Sequence, residues 1–237
     1  MKAAAPAARG LVVAIDGPSG AGKSTLGRAL AARLGYTFID TGAMYRALAL
    51  QALASDEDLD DGAELARLLR ASRLELRPPD RVLLDGRDVS RQIRARAVSR
   101  ASSRVAAHPP VRREMVQRQR ELGRDGSVVL DGRDIGTAVF PGADVKFYLD
   151  ADPRERARRR RADLLAVGPA PALEVIEQEI RARDHADSTR SDSPLTRASD
   201  AVVVDTTGRT PGEVLDELLG VVQGRLVRPA SATGAGG

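Results

Sequence analysis

The chain has 237 residues, 42% hydrophobic and 30% charged, which is enough to form the core of one or two globular domains. The absence of cysteine excludes disulfides and thiolate chemistry, and a total of two histidines argues against a histidine triad or a multi-histidine zinc site. A net charge of +4 favours anionic partners, whereas an aromatic content of 3% argues against a platform that stacks single-stranded bases.

Short apolar runs alternate with helical patterns along most of the chain. The predicted strands are residues 11–15, 37–39, 127–130, 145–149 and 201–204, and predicted helices include 23–34, 43–54 and 211–222. This alternation predicts an α/β fold in which helices flank both faces of a parallel sheet. Ligands of such sheets bind beyond the carboxyl ends of the strands, where Asp40, Asp131 and Asp150 are found.

The remaining segments predict the domain organisation. Residues 74–76 and 82–84 flank a turn and predict a hairpin inside an inserted subdomain of about residues 60–105. We expect a single domain over residues 11–227, a flexible segment at 1–10 and a disordered tail at 228–237. No apolar run reaches transmembrane length and residues 1–10 do not look like a signal peptide, so we expect a cytoplasmic protein without membrane contact.

A phosphate-binding loop follows the first predicted strand and precedes the first predicted helix. It matches the pattern G-x-x-x-x-G-K-[ST] and comprises Gly17, Pro18, Ser19, Gly20, Ala21, Gly22, Lys23 and Ser24, with Thr25 next. Its glycines let backbone N–H groups approach phosphates, Lys23 reaches the terminal phosphate oxygens, and a following hydroxyl binds Mg²⁺. The alternative, an ordinary glycine-rich turn, is disfavoured because the match falls between a strand and a helix.

Two further motifs narrow the class. Residues 40–47 read Asp-Thr-Gly-Ala-Met-Tyr-Arg-Ala and residues 131–137 read Asp-Gly-Arg-Asp-Ile-Gly-Thr. Together with the phosphate loop they resemble the bacterial cytidylate kinases, and the resemblance runs from about residue 11 to 222. It implies a three-layer P-loop kinase fold with an inserted acceptor-binding subdomain and a lid at about residues 154–170. It also implies transfer of the γ-phosphoryl group of ATP to CMP or dCMP.

The acceptor side is assigned partly from the residues and partly from the resemblance. Thr41, Tyr45 and Arg46 follow the second strand and supply a hydroxyl, a phenol and a guanidinium, although an exposed Arg46 would be equally consistent with the spacing. The resemblance implies that Asp134 and Ser103 accept from the cytosine amine and that Arg112 donates to the ring edge. Asp131 and Arg133 directly follow an apolar strand and join the acceptor set.

Arginines dominate the last part of the predicted site. Arg183, Asp187 and Arg190 share one helical face, and the resemblance places them at the sugar and phosphate of the acceptor. The arginine-rich run at 154–161 is implied to form the lid over ATP, with Arg156 and Arg159 joining Lys23 and Arg183 as catalytic groups. A solvated basic helix or an RNA-binding patch is the alternative interpretation of that run.

The expected cofactor is Mg²⁺, carried with ATP and bound by Ser24. The family often has glycine directly after the phosphate-loop lysine, whereas this chain has Ser24 and Thr25, so Thr25 stays open as the metal ligand. We expect a monomer that does not bind nucleic acid. The competing functions are a kinase of UMP or GMP and a P-loop switch protein; the switch is disfavoured because the sequence lacks an N-K-x-D segment for guanine.

Overall fold

A computed structural model describes residues 10–166 and 168–227. The strands are β1 (Val12–Asp16), β2 (Thr37–Asp40), β3 (Leu74–Arg77), β4 (Arg81–Leu84), β5 (Arg87–Asp88), β6 (Val128–Asp131), β7 (Val145–Asp150) and β8 (Val202–Asp205). The helices are α1 (Lys23–Leu34), α2 (Thr41–Ala54), α3 (Gly62–Ala71), α4 (Arg96–Val105), α5 (Pro109–Gly123), α6 (Pro153–Leu165), α7 (Leu173–Thr189) and α8 (Pro211–Val227). A 3₁₀ turn at Gln92–Arg94 and a π-helical turn at Ile135–Val139 complete the described elements.

The central sheet is parallel and has the strand order β2-β6-β1-β7-β8. Its register aligns Asp40 with Asp131, so the carboxyl ends of these two strands lie side by side. Asp16 ends β1 at the same edge, next to the end of β7. The predicted edge for ligand binding therefore gathers several carboxylates at the point where the phosphate loop begins.

Both faces of this sheet are covered by helices. Val12 and Ala14 pack into a core that includes side chains of α2 to α5, whereas Val13 and Ile15 pack into a second core with α1 and α8. Because alternate residues of a strand point to opposite faces, a strand buried on both faces needs a continuous apolar run. That requirement explains the sequence of β1, and the fold class predicted from the sequence is confirmed.

The hairpin predicted near residue 80 forms a separate antiparallel sheet in the order β3-β4-β5. Val82, Val89 and Ile93 pack against Ala43 and Ala47 of α2. Since α2 also carries Tyr45 and Arg46, this small sheet supports the helix that bears two predicted acceptor-binding residues. The division into a core, an insert at 60–105 and a lid at 154–170 stays a prediction.

Some boundaries differ from the sequence-based expectation for local reasons. Helix α2 begins two residues early because Asp40 caps it, and its Oδ1 accepts from Ala43 N at 2.7 Å. Helix α8 continues to Val227, five residues beyond the predicted end. The predicted terminal segments fall outside the described residues, except for Gly10. Within the described ranges, no helix is both long and apolar enough to cross a membrane.

Candidate active site

The phosphate loop wraps tightly between β1 and α1. A Cβ on Gly17, whose φ is +144°, would lie 2.0 Å from the carbonyl oxygen of Leu149, so only glycine fits against β7. Gly20, with a φ of +81°, lies so close to Arg156 that an added Cβ would be 2.9 Å from that side chain. The loop therefore contacts both the sheet and the first helix of the predicted lid.

Lys23 is buried at the first turn of α1. Its Nζ donates to the carbonyl oxygen of Pro18 at 2.6 Å, inside the loop itself. Burial, followed by the positive charge of Arg133, holds the pKa of Lys23 well below its usual range. A buried ammonium in this position would gain strongly from the negative charge of bound phosphates.

Ser24 and Asp131 form the site next to the loop. Ser24 Oγ donates to Asp131 Oδ2 at 2.5 Å, whereas Thr25 is exposed on the next position of α1. The other oxygen of Asp131, Oδ1, is buried and accepts no hydrogen bond from the residues that the structure describes. The role in acceptor binding expected for Asp131 stays a prediction, and in the structure its carboxylate contacts the phosphate-loop hydroxyl.

Burial, reinforced by the nearby charge of Asp40, raises the pKa of Asp131 to about 7. A carboxyl whose pKa is raised on folding favours the folded state at low pH, and this contribution is lost as pH rises from about 4 to about 7. We therefore expect Asp131→Asn to become more stable relative to the wild type over that range, by on the order of 2–4 kcal/mol. Urea unfolding without Mg²⁺ at pH 5 and pH 8 measures the difference.

Asp125→Asn is the matched control, because the Asp125 side chain is 88% exposed. It should leave the pH dependence of stability unchanged. Equal pH dependence in the wild type and Asp131→Asn would contradict the prediction.

The predicted acceptor residues on α2 lie at the edge where β2 and β6 end. Thr41 Oγ1 donates to the backbone oxygen of Asp131 at 2.6 Å, and Arg46 forms an ion pair with Asp40 at 3.0 Å. Tyr45 is half-buried, and its ring centroid lies 5.9 Å from the guanidinium carbon of Arg112. The structure thus brings Tyr45 of α2 close to Arg112 of α5.

Arg112 and Asp134 form a buried ion pair beside Tyr45, with Arg112 NH2 donating to Asp134 Oδ2. Arg190 NH2 lies 3.7 Å from the other carboxylate oxygen, Oδ1. Arg112 is only 2% exposed and its Nε has no hydrogen-bond partner among the described residues. Buried groups with unused hydrogen-bonding capacity are suited to recognising a polar ligand. Ser103 is half-buried on α4, and no hydrogen bond joins its side chain to this pair.

Asp187 is the centre of a second cluster, formed by three arginines. Arg133 Nε donates to Asp187 Oδ2 at 2.8 Å, Arg183 Nε lies 4.0 Å from the same oxygen, and Arg190 NH1 lies 3.7 Å from Oδ1. Burial, and then the charge of Arg133, lowers the pKa of Arg183 to about 10. An excess of buried positive charge over negative charge favours binding of an anion such as phosphate.

The arginine run on α6 faces inward at two positions. Arg156 NH1 donates to the carbonyl oxygen of Ser19 at 3.0 Å and to Asp184 Oδ2 at 2.5 Å, and Ser19 N donates to Asp184 Oδ1 at 3.4 Å. Arg159 NH1 donates to Thr206 Oγ1 at 2.9 Å. These contacts attach α6 to the phosphate loop and to the end of β8.

Three residues at the site were not identified from the sequence: Asp16, Asp184 and Thr206. Thr206 Oγ1 donates to the carbonyl oxygen of Ala21 at 3.2 Å, which connects the phosphate loop to β8. Asp16 could have been identified by the same pattern as Asp131, since each is an acidic residue at the end of an apolar strand. Nothing in the sequence marks Asp184 or Thr206, because their partners in the phosphate loop, Ser19 and Ala21, are more than 100 residues away.

A glycine-rich loop on one side and inward-facing arginines on the other, at the carboxyl edge of a parallel sheet, are typical of P-loop kinases. The fold and the site therefore define the class of the protein as a P-loop phosphotransferase. Comparison with known proteins identifies the family within that class.

The family model for cytidylate kinase matches residues 13–224. The cytidylate kinase of Symbiobacterium thermophilum is 51% identical over 215 residues, covering 89% of this chain and 95% of that protein. The cytidylate kinase of Geobacillus kaustophilus is 49% identical over 221 residues, covering 92% and 99%. The bifunctional pantoate ligase/cytidylate kinase of Gloeobacter violaceus is 49% identical over 222 residues, which cover 91% of this chain but 43% of that protein. The chain belongs to the cytidylate kinase family.

Proposed function

We infer that the chain transfers the γ-phosphoryl group of ATP to CMP or dCMP. Its membership of the cytidylate kinase family supports this activity. The structural observation that carries it is the buried ion pair of Arg112 and Asp134, which lies beside Tyr45 of α2. This pair supplies a donor and an acceptor, the two types of group that a cytosine edge requires.

The donor nucleotide is assigned to the phosphate loop. Backbone N–H groups of residues 17–25 and the N-terminus of α1 would bind the ATP phosphates, and Lys23 would reach the γ-phosphate. Arg156 lies against Ser19 and Arg159 lies near the end of β8, so both reach the donor side. Their role is to stabilise charge on the transferred group.

Ser24 and Asp131 are the residues that would hold Mg²⁺. The free, buried Oδ1 of Asp131 and the adjacent Ser24 hydroxyl are hard oxygen ligands, and Thr25 is exposed. When bound, Mg²⁺ neutralises charge on the ATP phosphates. This role is proposed for Asp131 beside the acceptor-binding role expected from the sequence, which stays a prediction.

The acceptor is assigned to the cleft beyond Asp131. Asp134 would accept from the cytosine amine, and Arg112, with Arg190 beside it, would donate to the ring acceptors. Ser103 remains a candidate for the amine on the strength of the resemblance, as does Tyr45 for the cleft wall. Asp187 would accept from a sugar hydroxyl.

The acceptor phosphate is assigned to Arg46, Arg133 and Arg183, with Thr41, whose hydroxyl contacts the end of β6. The attacking phosphate oxygen is already an anion, so the reaction needs positioning and charge stabilisation rather than a strong base. Closure of α6 over the loop would exclude water, which would otherwise hydrolyse ATP. The monomeric state, cytoplasmic location and absence of nucleic-acid binding stay predictions.

Formation of ADP from Mg·ATP with CMP, dCMP, UMP, AMP and GMP tests the proposal. We expect CMP and dCMP to exceed the other acceptors in kcat/KM by roughly 100-fold or more, because a mispaired buried polar group is strongly rejected. Equal rates with UMP would contradict the role of Arg112 and Asp134 but retain the kinase. Turnover independent of any monophosphate would instead favour a P-loop switch. RNA affinity that falls steeply with salt would favour the basic-patch interpretation.

A further inference from the structure

Asp16 is a buried carboxylate to which the proposed reaction assigns no role. It ends β1, directly before Gly17, and is only 4% exposed. Its two carboxylate oxygens accept hydrogen bonds from backbone N–H groups of the π-helical turn that follows β6. Oδ1 accepts from Ile135 N at 2.8 Å and Oδ2 accepts from Gly136 N at 2.7 Å.

These two N–H groups directly follow Asp134. The N–H of Ile135 belongs to the peptide between Asp134 and Ile135, whose orientation is set by the ψ angle of Asp134. Asp134 has a φ of −146° and a ψ of 25°. The carbonyl oxygen of the same peptide accepts from Ala138 N at 2.8 Å and from Val139 N at 3.1 Å. The peptide after Asp134 is therefore held on both sides, by the π-helical turn at its oxygen and by Asp16 at its nitrogen.

Gly136 allows the π-helical turn to pack closely against Asp16. A Cβ there would lie 3.3 Å from Asp16 Oδ2 and 3.0 Å from a methylene carbon of Lys146. The π-helical turn therefore packs tightly against the Asp16 carboxylate, and neither can shift without moving the other.

We propose that Asp16 is a positioning residue for acceptor specificity, which holds the peptide after Asp134 so that the Asp134 carboxylate faces the acceptor base. The proposal rests on the base-reading role proposed for Asp134. Asp16 acts through the backbone and does not touch either nucleotide. Because it also precedes the phosphate loop, one carboxylate fixes the relative positions of the donor loop and the base-reading turn.

The two N–H donors explain why a carboxylate, rather than a neutral side chain, occupies this buried position. Burial disfavours the charged form of Asp16 and so raises its pKa to about 6. A neutral side chain would avoid that cost. However, an amide offers only one acceptor oxygen, and its NH₂ group would face the second backbone N–H. The Asp16 carboxylate offers two acceptor oxygens, one for each of the N–H donors of Ile135 and Gly136.

The test compares Asp16→Asn with Asp144→Asn. Asp144 Oδ2 accepts from Val12 N at 2.7 Å, so this control removes a carboxylate bound to the same strand at the end remote from the site. We expect Asp16→Asn to raise KM for CMP by roughly 5- to 100-fold, with KM for ATP changed less than about threefold. The ratio of kcat/KM for CMP to that for UMP should fall by roughly 10-fold. Asp144→Asn should change none of these values.

Gly136→Ala provides a second variant in case Asp16→Asn does not fold. It crowds the same carboxylate from the opposite side and should show the same changes with a smaller amplitude. Kinetics are measured below the melting temperature of each variant.

Two outcomes would overturn the inference and differ from each other. If the wild type does not prefer CMP to UMP, the base-reading role of Asp134 fails and the inference fails with it. If the wild type does prefer CMP, but Asp16→Asn and Gly136→Ala lower only the melting temperature, the inference alone fails.

Discussion

Replacing Lys23 with methionine is expected to lower kcat by about 1,000-fold while making the nucleotide-free protein more stable. Methionine keeps the length of the side chain but removes the ammonium that would stabilise charge on the transferred phosphoryl group. Since Lys23 is buried, its aliphatic stem still packs in the variant. The loss should therefore appear in kcat at saturating ATP and CMP.

The effect on stability has the opposite sign for a reason visible in the structure. The pKa of Lys23 is lowered on folding, first by burial and then by Arg133. A lowered lysine pKa means that the folded state loses stability as pH falls from the unfolded value near 10.5. At pH 7 the wild type carries that cost, so the variant should be more stable than the wild type.

Lys146→Met is the matched control. Lys146 is also buried, but its Nζ lies 2.9 Å from Asp200 Oδ2 and donates to the carbonyl oxygen of Pro141 at 2.6 Å. This variant should lose stability in urea unfolding and keep kcat within about 10-fold, because it breaks partnered contacts outside the phosphate loop. A stabilised Lys146→Met, or a Lys23→Met with near-normal kcat, would contradict the reasoning.

The sequence predicted those features that depend on local pattern. Continuous apolar runs identified the buried strands because β1 is covered on both faces, and the spacing of Gly17, Gly22 and Lys23 identified the phosphate loop. Asp40 was placed at the correct edge because a strand end is readable from where hydrophobicity stops. These patterns involve residues that are close together in the sequence, so they can be recognised without knowledge of the fold.

Pairing between distant side chains left no such signal. Asp131 was assigned to the acceptor from its position after a strand, but only the parallel register places it against Ser24, which is 107 residues earlier in the chain. Arg112 and Ser103 had no pattern of their own and were found through the family resemblance. Asp184 was missed because its partners, Ser19 and Arg156, converge only in the folded chain.

Asp134→Asn should abolish most of the discrimination between CMP and UMP. In the proposed acceptor site, the Asp134 carboxylate would accept from the cytosine amine and would oppose the carbonyl that uracil presents at the same position. An asparagine can turn either its oxygen or its NH₂ group toward the base, so it accommodates both. We expect the ratio of kcat/KM for CMP to that for UMP to fall by roughly 100- to 1,000-fold. Steady-state kinetics with the two acceptors at saturating Mg·ATP measure that ratio.

The variant Asp187→Asn distinguishes a specific loss of base recognition from a general disruption of the acceptor site. Asp187 is a carboxylate in the neighbouring cluster and shares Arg190 with Asp134, at 3.7 Å from each. Its proposed partner is the sugar, which CMP and UMP have in common. This variant should therefore lower kcat/KM for both acceptors equally and leave their ratio unchanged, while changing the ratio of CMP to dCMP. A fall in the CMP to UMP ratio of the same size in both variants would mean that the cluster supports the pocket as a whole. In that case the loss would not be specific to Asp134, and the hydrogen bond proposed between its carboxylate and the cytosine amine would not account for the discrimination.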